Sequence, residues 1–180
     1  VVIGLGYVGL PLAVEKAKMG FSVTGIDMNK ARVKMVNKGE CYIPDVVDES
    51  LRELVKSKKM RATMDFSVLK KADAVCICVP TPLDKKRDPD ISYIQATTKQ
   101  VAKYLHKGQL VSLESTTYPG TTEEIMLPEL EKSGLKTGKD FFLVFSPERV
   151  DPGNKKFNLK NTPKVIGGVT KTCSEVARHL

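Results

Sequence analysis

A short apolar run, Val1-Val2-Ile3, stops at Gly4-Leu5-Gly6-Tyr7-Val8-Gly9, and Leu10, Ala13, Val14 and Ala17 then recur at helical spacing. A strand that passes through G-x-G-x-x-G into a helix leaves the chain few folds to adopt. Gly4 permits the tight turn, Gly6 lets the backbone come close to a pyrophosphate, and Gly9 lets the helix pack on the strand. The amides near Tyr7 and Val8 then open a helix whose positive dipole end suits an anion. Alone, the hexapeptide is common to many proteins. Here a second strand, Phe21 to Ile26, follows, and Asp27 closes it 18 residues after Gly9. A carboxylate at that place accepts hydrogen bonds from the adenosine ribose hydroxyls. The plain alternative is a glycine turn with a surface aspartate, but strand, loop, helix, strand and Asp in this order favour a dinucleotide site.

The alternation continues to the end of the chain. Lys30 to Lys38 reads as a helix stopped by Gly39, and Asp48 to Lys58 as another. Ala72 to Val79 is the near-continuous apolar run of a parallel strand covered on both faces. Ile91, Ile94, Val101, Ala102 and Leu105 form one helical stripe, and Gln109 to Leu113 is the next strand. Thr121 and Glu124 have capping-box spacing, and Pro128 implies a kink or restart inside that helix. Phe141 to Phe145 and Lys164 to Ile166 read as strands, and Thr170 to Leu180 as a helix. The expected fold is α/β, a doubly wound, mainly parallel sheet of Rossmann-like type. The 180 residues fit one domain, 1–180, at a prior of ~150 residues per domain. The chain opens inside a strand without methionine and stops inside a helix, so a piece truncated at both ends of a longer protein is expected.

Lys and Arg total 29 against 21 Asp and Glu, a net charge of +8 that suits a phosphate-bearing partner. The basic residues are dispersed and not interleaved with aromatics, so no nucleic-acid partner is expected. Lys85-Lys86-Arg87 reads as a solvated loop, and so do the surroundings of His106 and His179. No apolar run nears the ~18–20 residues of a membrane span, and no basic leader precedes the first strand. The four cysteines show no metal-ligand spacing. Cys76 and Cys78, two apart on a strand, would lie at the outer edge of disulfide geometry (~6.6–6.8 Å between Cα atoms). Free thiols in a reducing cytoplasm are the simpler expectation, with no metal.

Three further segments end strands at the sheet edge where open α/β folds place ligands. They are Cys78-Val79-Pro80-Thr81-Pro82, Glu114-Ser115-Thr116-Thr117-Tyr118-Pro119-Gly120, and Ser146-Pro147-Glu148-Arg149-Val150-Asp151-Pro152-Gly153-Asn154. Each has a bland reading: a proline-stopped strand, a hydroxyl-rich loop capping a helix, and a solvated ion pair. With the glycine loop, in this order and spacing, they resemble the UDP-glucose/GDP-mannose dehydrogenase family of nucleotide-sugar 6-dehydrogenases. The resemblance covers the whole chain as the family's N-terminal NAD-binding domain.

The resemblance implies a role for each matching residue. Tyr7 and Val8, with Gly4, Gly6 and Gly9, contact the pyrophosphate region of NAD. Asp27 holds the adenosine ribose, with Arg32 at the position of a basic residue beside it. Thr81 and Thr116 line the nicotinamide half, and Thr116 also helps position a catalytic water. Glu148 matches the acid/base carboxylate, and Arg149 and Val150 fall where relatives contact substrate. UDP-glucose enzymes carry a second glutamate four residues after the first, where this chain has Pro152. The SPERVDPGN segment is instead similar to the branch acting on UDP-N-acetylhexosamines. The implied reaction is NAD-dependent oxidation of the sugar C6 alcohol to the uronate, by a cytoplasmic homo-oligomer. The family's nucleophilic cysteine and oxyanion lysine match no position here. A UDP-glucose enzyme, another NAD-linked hydroxyacid-type dehydrogenase and a non-catalytic dinucleotide sensor are the alternatives. Thr116 and Glu148, which a sensor would not need, favour an enzyme.

Overall fold

The computed structural model describes residues 1–44, 46, 48–83, 89–149 and 161–180. They fall into two compact units, Val1–Asp65 with Arg149–Pro163, and Phe66–Glu148 with Lys164–Leu180. The first unit runs β1 (Val2–Ile3), α1 (Gly9–Lys18), β2 (Val23–Ile26), α2 (Lys30–Lys38), α3 (Asp48–Lys56) and β3 (Met60–Thr63). Its strands lie in the order β3-β2-β1, all parallel, with Val2 opposite Gly25 and Val23 opposite Met60. β3 has no counterpart in the expectations above. Its sequence, Met-Arg-Ala-Thr, buries Met60 and Ala62 and exposes Arg61, a period-2 pattern too short and too polar to stand out.

The local chemistry of this unit explains its bounds. Asn29 caps α2, accepting from the amides of Ala31 and Arg32, and Gly39 ends it with a left-handed φ of 72°. Gly39 is also pressed against α3, since a Cβ built on it would lie 2.6 Å from Cα of Arg52. α1 carries Lys16 and Lys18 in its last turn and no acid in its first, leaving its positive end open to an anion.

The second unit begins with a tight helical turn, Phe66–Lys71, before β4 (Ala74–Ile77), α4 (Ser92–Tyr104) and β5 (Leu110–Leu113). A wide helical turn, Thr121–Met126, leads into α5 (Leu127–Glu131), and β6 (Phe142–Phe145), β7 (Gly167–Gly168) and α6 (Lys171–Ala177) complete it. β4, β5 and β6 are parallel, and β7 joins β6 antiparallel. Parallel strands joined through helices give the mainly parallel, Rossmann-like α/β fold. β5 is buried along its whole length, as a strand covered on both faces must be. Among the described residues no helix is long and apolar enough to cross a membrane.

Two local expectations are corrected. Thr121 does not cap a helix through a box with Glu124; Gly120 precedes the turn, and the Glu124 amide donates to the Gly120 carbonyl at 2.7 Å. The Thr121 hydroxyl instead bonds Tyr118 O and Thr117 Oγ1, which the left-handed Gly120 (φ 95°) makes reachable. The last strand is Gly167–Gly168, not Lys164–Ile166. Close packing on α6 selects glycine at 168, because a Cβ there would lie 2.4 Å from the Ser174 amide. Pro128 does restart the helix, at the head of α5.

Replacing Gly39 by alanine is expected to lower stability by more than the ~1–2 kcal/mol of a left-handed L-residue, since the Arg52 backbone must also move. Denaturant unfolding checks this; a change within about 0.5 kcal/mol, the range of a neutral surface substitution, would show that the α2–α3 contact is looser than it looks.

Candidate functional site

In the first unit the carboxyl ends of β1 and β2 carry the glycine loop and Asp27. Gly4 turns with φ 90°, and its amide donates to Ile26 O at 2.7 Å. Leu5 is fully buried and packs on Gly25, where a Cβ would meet Leu5 Cδ2 at 2.7 Å. The Leu5 amide donates to Asp27 Oδ2 at 2.9 Å, and the Asn29 amide donates to Oδ1 at 2.8 Å. Asp27, 9% exposed, is therefore aimed by two backbone amides and keeps lone pairs for a ligand. Arg32 Nη1 stands 3.6 Å from Asp27 Oδ2. Tyr7 is exposed, Gly9 is buried as the first residue of α1, and a Cβ on Gly6 would meet nothing within 4 Å. Open space over the second glycine, an uncapped helix start and an aspartate aimed by amides fit the pyrophosphate and ribose of NAD.

Tyr42 belongs to this constellation, though no motif in the sequence marks it. Its hydroxyl donates to Leu5 O at 2.6 Å, and the Arg32 guanidinium lies 5.5 Å from its ring centroid. The sequence separation of 37 residues from Leu5 hides this contact from any local pattern.

In the second unit the ends of β4, β5 and β6 meet. The Thr81 hydroxyl donates to Thr116 O at 2.7 Å, bringing together two residues expected at one site. Ser115 Oγ donates to Val79 O at 2.7 Å and reinforces the same junction. The Glu148 amide donates to Glu114 O at 3.3 Å. Arg149 is exposed, whereas Val150 and the Asp151–Asn154 stretch lie outside the described residues, as does Lys85-Lys86-Arg87.

Beneath this edge is a pair that sequence reasoning missed. Glu114, 3% exposed, accepts from Ser112 Oγ at 2.6 Å through Oε1 and forms an ion pair with Lys164 through Oε2. β6 and β7 pair Val144 with Gly168 and Phe145 with Gly167, and Lys164, three residues before β7, lies near enough to Glu148 for the two charges to act on each other. Burial pulls the Lys164 ammonium down, but the charge and hydrogen bond of Glu114, with Glu148 behind it, outweigh this and hold its pKa above the ordinary value. Lys164 thus stays charged at neutral pH. The only sequence signal was a lysine at the head of an apolar stretch.

The cysteines are free thiols. Burial pushes the Cys78 thiol well up, with Cys76, Glu114 and Glu148 adding to it against Lys164. A buried neutral thiol is a poor nucleophile, which argues against such a role for Cys78. Among the described residues no cluster of three or more His, Cys, Asp or Glu could hold a metal ion.

Two outcomes follow from this geometry. A 2′-phosphate ~4 Å from Asp27 meets about 4 kcal/mol of repulsion per charge pair at an effective dielectric of ~20, partly offset by Arg32. Calorimetry is therefore expected to show tighter binding of NAD than of NADP; equal or tighter NADP binding would sink the assignment of Asp27. Lys164→Met strands the Glu114 charge and is expected to destabilise by about 2–3 kcal/mol. That is below the ~3–5 kcal/mol of a fully buried pair because Lys164 keeps a third of its side chain exposed. Adding Glu114→Gln should recover part of the loss in the same unfolding assay, and no recovery would mean that packing of the lysine stem dominates.

Comparison with known proteins gives the site its family. All of residues 1–180 match the model of the UDP-glucose/GDP-mannose dehydrogenase family, NAD binding domain. The chain is 39% identical over 180 residues to a UDP-N-acetyl-D-glucosamine 6-dehydrogenase of Pseudomonas aeruginosa, covering 99% of this chain and 42% of that protein. It is 37% identical over 180 residues to a UDP-N-acetyl-D-mannosamine dehydrogenase of Pyrococcus horikoshii, covering 99% of this chain and 43% of the relative. Among solved structures, the UDP-N-acetyl-mannosamine dehydrogenase of Staphylococcus aureus superposes with a TM-score of 0.87 at 33% identity, over 99% of this chain and 43% of that one. The chain spans about two-fifths of the length of the curated relatives it matches. With the glycine loop, Asp27 and the Thr81–Thr116 junction in place, the chain belongs to the UDP-glucose/GDP-mannose dehydrogenase family, as its NAD-binding domain.

Proposed function

We propose that the protein built on this chain is an NAD-dependent nucleotide-sugar 6-dehydrogenase that oxidises the C6 alcohol of a UDP-N-acetylhexosamine to the uronate. The observation that carries the substrate class is the match, over essentially the whole chain, to relatives named for UDP-N-acetylglucosamine and UDP-N-acetylmannosamine. Pro152, standing where UDP-glucose enzymes have a second glutamate, supports the same branch.

When bound, NAD supplies the hydride acceptor. The glycine loop and the start of α1 hold its pyrophosphate by backbone amides, and Asp27 accepts from its ribose hydroxyls. Thr81 and Thr116 present hydroxyl and carbonyl groups at the second unit's edge. Glu148 serves as general base toward water or the substrate hydroxyl, with Thr116 orienting that water. Arg149 offers a rigid fork of donors for a substrate oxygen, which a hydrophobic residue cannot supply. Residues 1–180 act as the cofactor domain, and the nucleophilic thiol is none of the four here. Free thiols fit a reducing cytoplasmic compartment, and we place the working form there as a homo-oligomer.

The test is kcat/KM of the intact enzyme with NAD for UDP-glucose, UDP-N-acetylglucosamine and UDP-N-acetylmannosamine. A donor left unpaired by a substrate lacking the acetamido group costs ~1–3 kcal/mol, roughly 5- to 150-fold in specificity. An acetamido sugar is expected to win by such a factor. UDP-glucose as best substrate would refute the branch assignment while leaving the family intact.

A further inference from the structure

Four groups around the glycine loop close a ring. Leu5 donates its amide to Asp27 Oδ2 at 2.9 Å, Asp27 Oδ2 faces Arg32 Nη1 at 3.6 Å, Arg32 lies 5.5 Å from the Tyr42 ring centroid, and Tyr42 donates its hydroxyl to Leu5 O at 2.6 Å. Both backbone groups of one loop residue are thus held, by side chains 22 and 37 positions away. We propose that Tyr42 is a positioning residue of the dinucleotide site, which keeps the Arg32 guanidinium on Asp27 and so disfavours a ribose 2′-phosphate. The inference rests on the reading of this loop and Asp27 as the NAD site.

The physical reasoning concerns where a cation is allowed to go. An arginine beside the ribose site accommodates a 2′-phosphate when it can turn its donors to it. Here the guanidinium has two holds, a carboxylate and an aromatic face, and its backbone amide is fixed to Asn29 Oδ1 at 3.3 Å in the first turn of α2. Leaving Asp27 would forfeit the ion pair and expose the carboxylate to the phosphate. Tyr42 therefore raises the penalty on NADP without touching the ribose. Its phenol is a donor at neutral pH, and burial and then the Asp27 charge push its pKa further up against the opposing pull of Arg32. The hydroxyl and the ring have separable duties: the first steadies the loop for either dinucleotide, the second restrains Arg32.

That separation supplies the test, by calorimetric titration of the protein with NAD and with NADP. Tyr42→Phe keeps the ring, so both dinucleotides should bind several-fold more weakly while their ratio stays within about 2-fold of wild type. Tyr42→Leu removes the ring as well, and the ratio should shift toward NADP by about 3- to 10-fold. Adding Arg32→Met should abolish that shift. A Leu variant that weakens both ligands equally, or a Phe variant whose ratio moves toward NADP, overturns the proposal, and the Phe variant alone decides if the Leu variant does not fold. If the wild-type protein bound neither dinucleotide, the NAD reading would fall and this inference with it; wild-type preference for NAD with an unmoved ratio would sink only the inference.

Discussion

The hydrogen bond from the Leu5 amide to Asp27 is the contact on which the first unit's site depends. It joins the ends of two adjacent parallel strands through a loop residue whose side chain is itself buried on Gly25. Any ligand that bonds the carboxylate is thereby referred to the glycine loop, so the proposed pyrophosphate and ribose sites share one rigid junction. A buried carboxylate is costly unless its lone pairs are used. Two backbone amides use them without adding charge, so Asp27 is nearly buried and still has capacity for the ribose hydroxyl of the proposed NAD site.

The second unit solves a similar problem with a full counter-charge. Glu114 closes β5, one position past a strand buried on both faces, so its carboxylate could not be solvated where the backbone puts it. Ser112 and Lys164 supply the partners, and the lysine arrives from 50 residues further on by way of the antiparallel pairing of β6 and β7. The pair holds Lys164 where the charge of Glu148 also acts on it.

Much of the architecture was legible because local and tertiary preferences agree. α2 matches its expected bounds, since Asn29 and Gly39 are strong start and stop signals whatever the helix packs on. Where the signal was weak, packing decided. β3 forms from Met-Arg-Ala-Thr because β2 offers it a parallel edge, and β7 falls at Gly167–Gly168, where any side chain at Gly168 would collide with α6. The Thr121–Glu124 spacing matched a capping box, yet Gly120 took the turn's entry and Thr121 turned back to Tyr118. Spacing proposes a cap, but the preceding residue's backbone conformation disposes of it.

The strand–loop–helix order, the glycine positions, the acid closing the second strand, and the family to which the four motifs belong can all be read along the chain. These are properties of near neighbours in the chain, where residue type and period leave few options. Only the tertiary structure decided that Tyr42 clasps the loop and carries Arg32, that Thr81 meets Thr116, and that Lys164 neutralises Glu114. Each of these is a contact over 35 to 50 residues or between separate elements. No period or propensity encodes such a meeting; it exists because β-strand register and helix packing bring remote side chains to one edge.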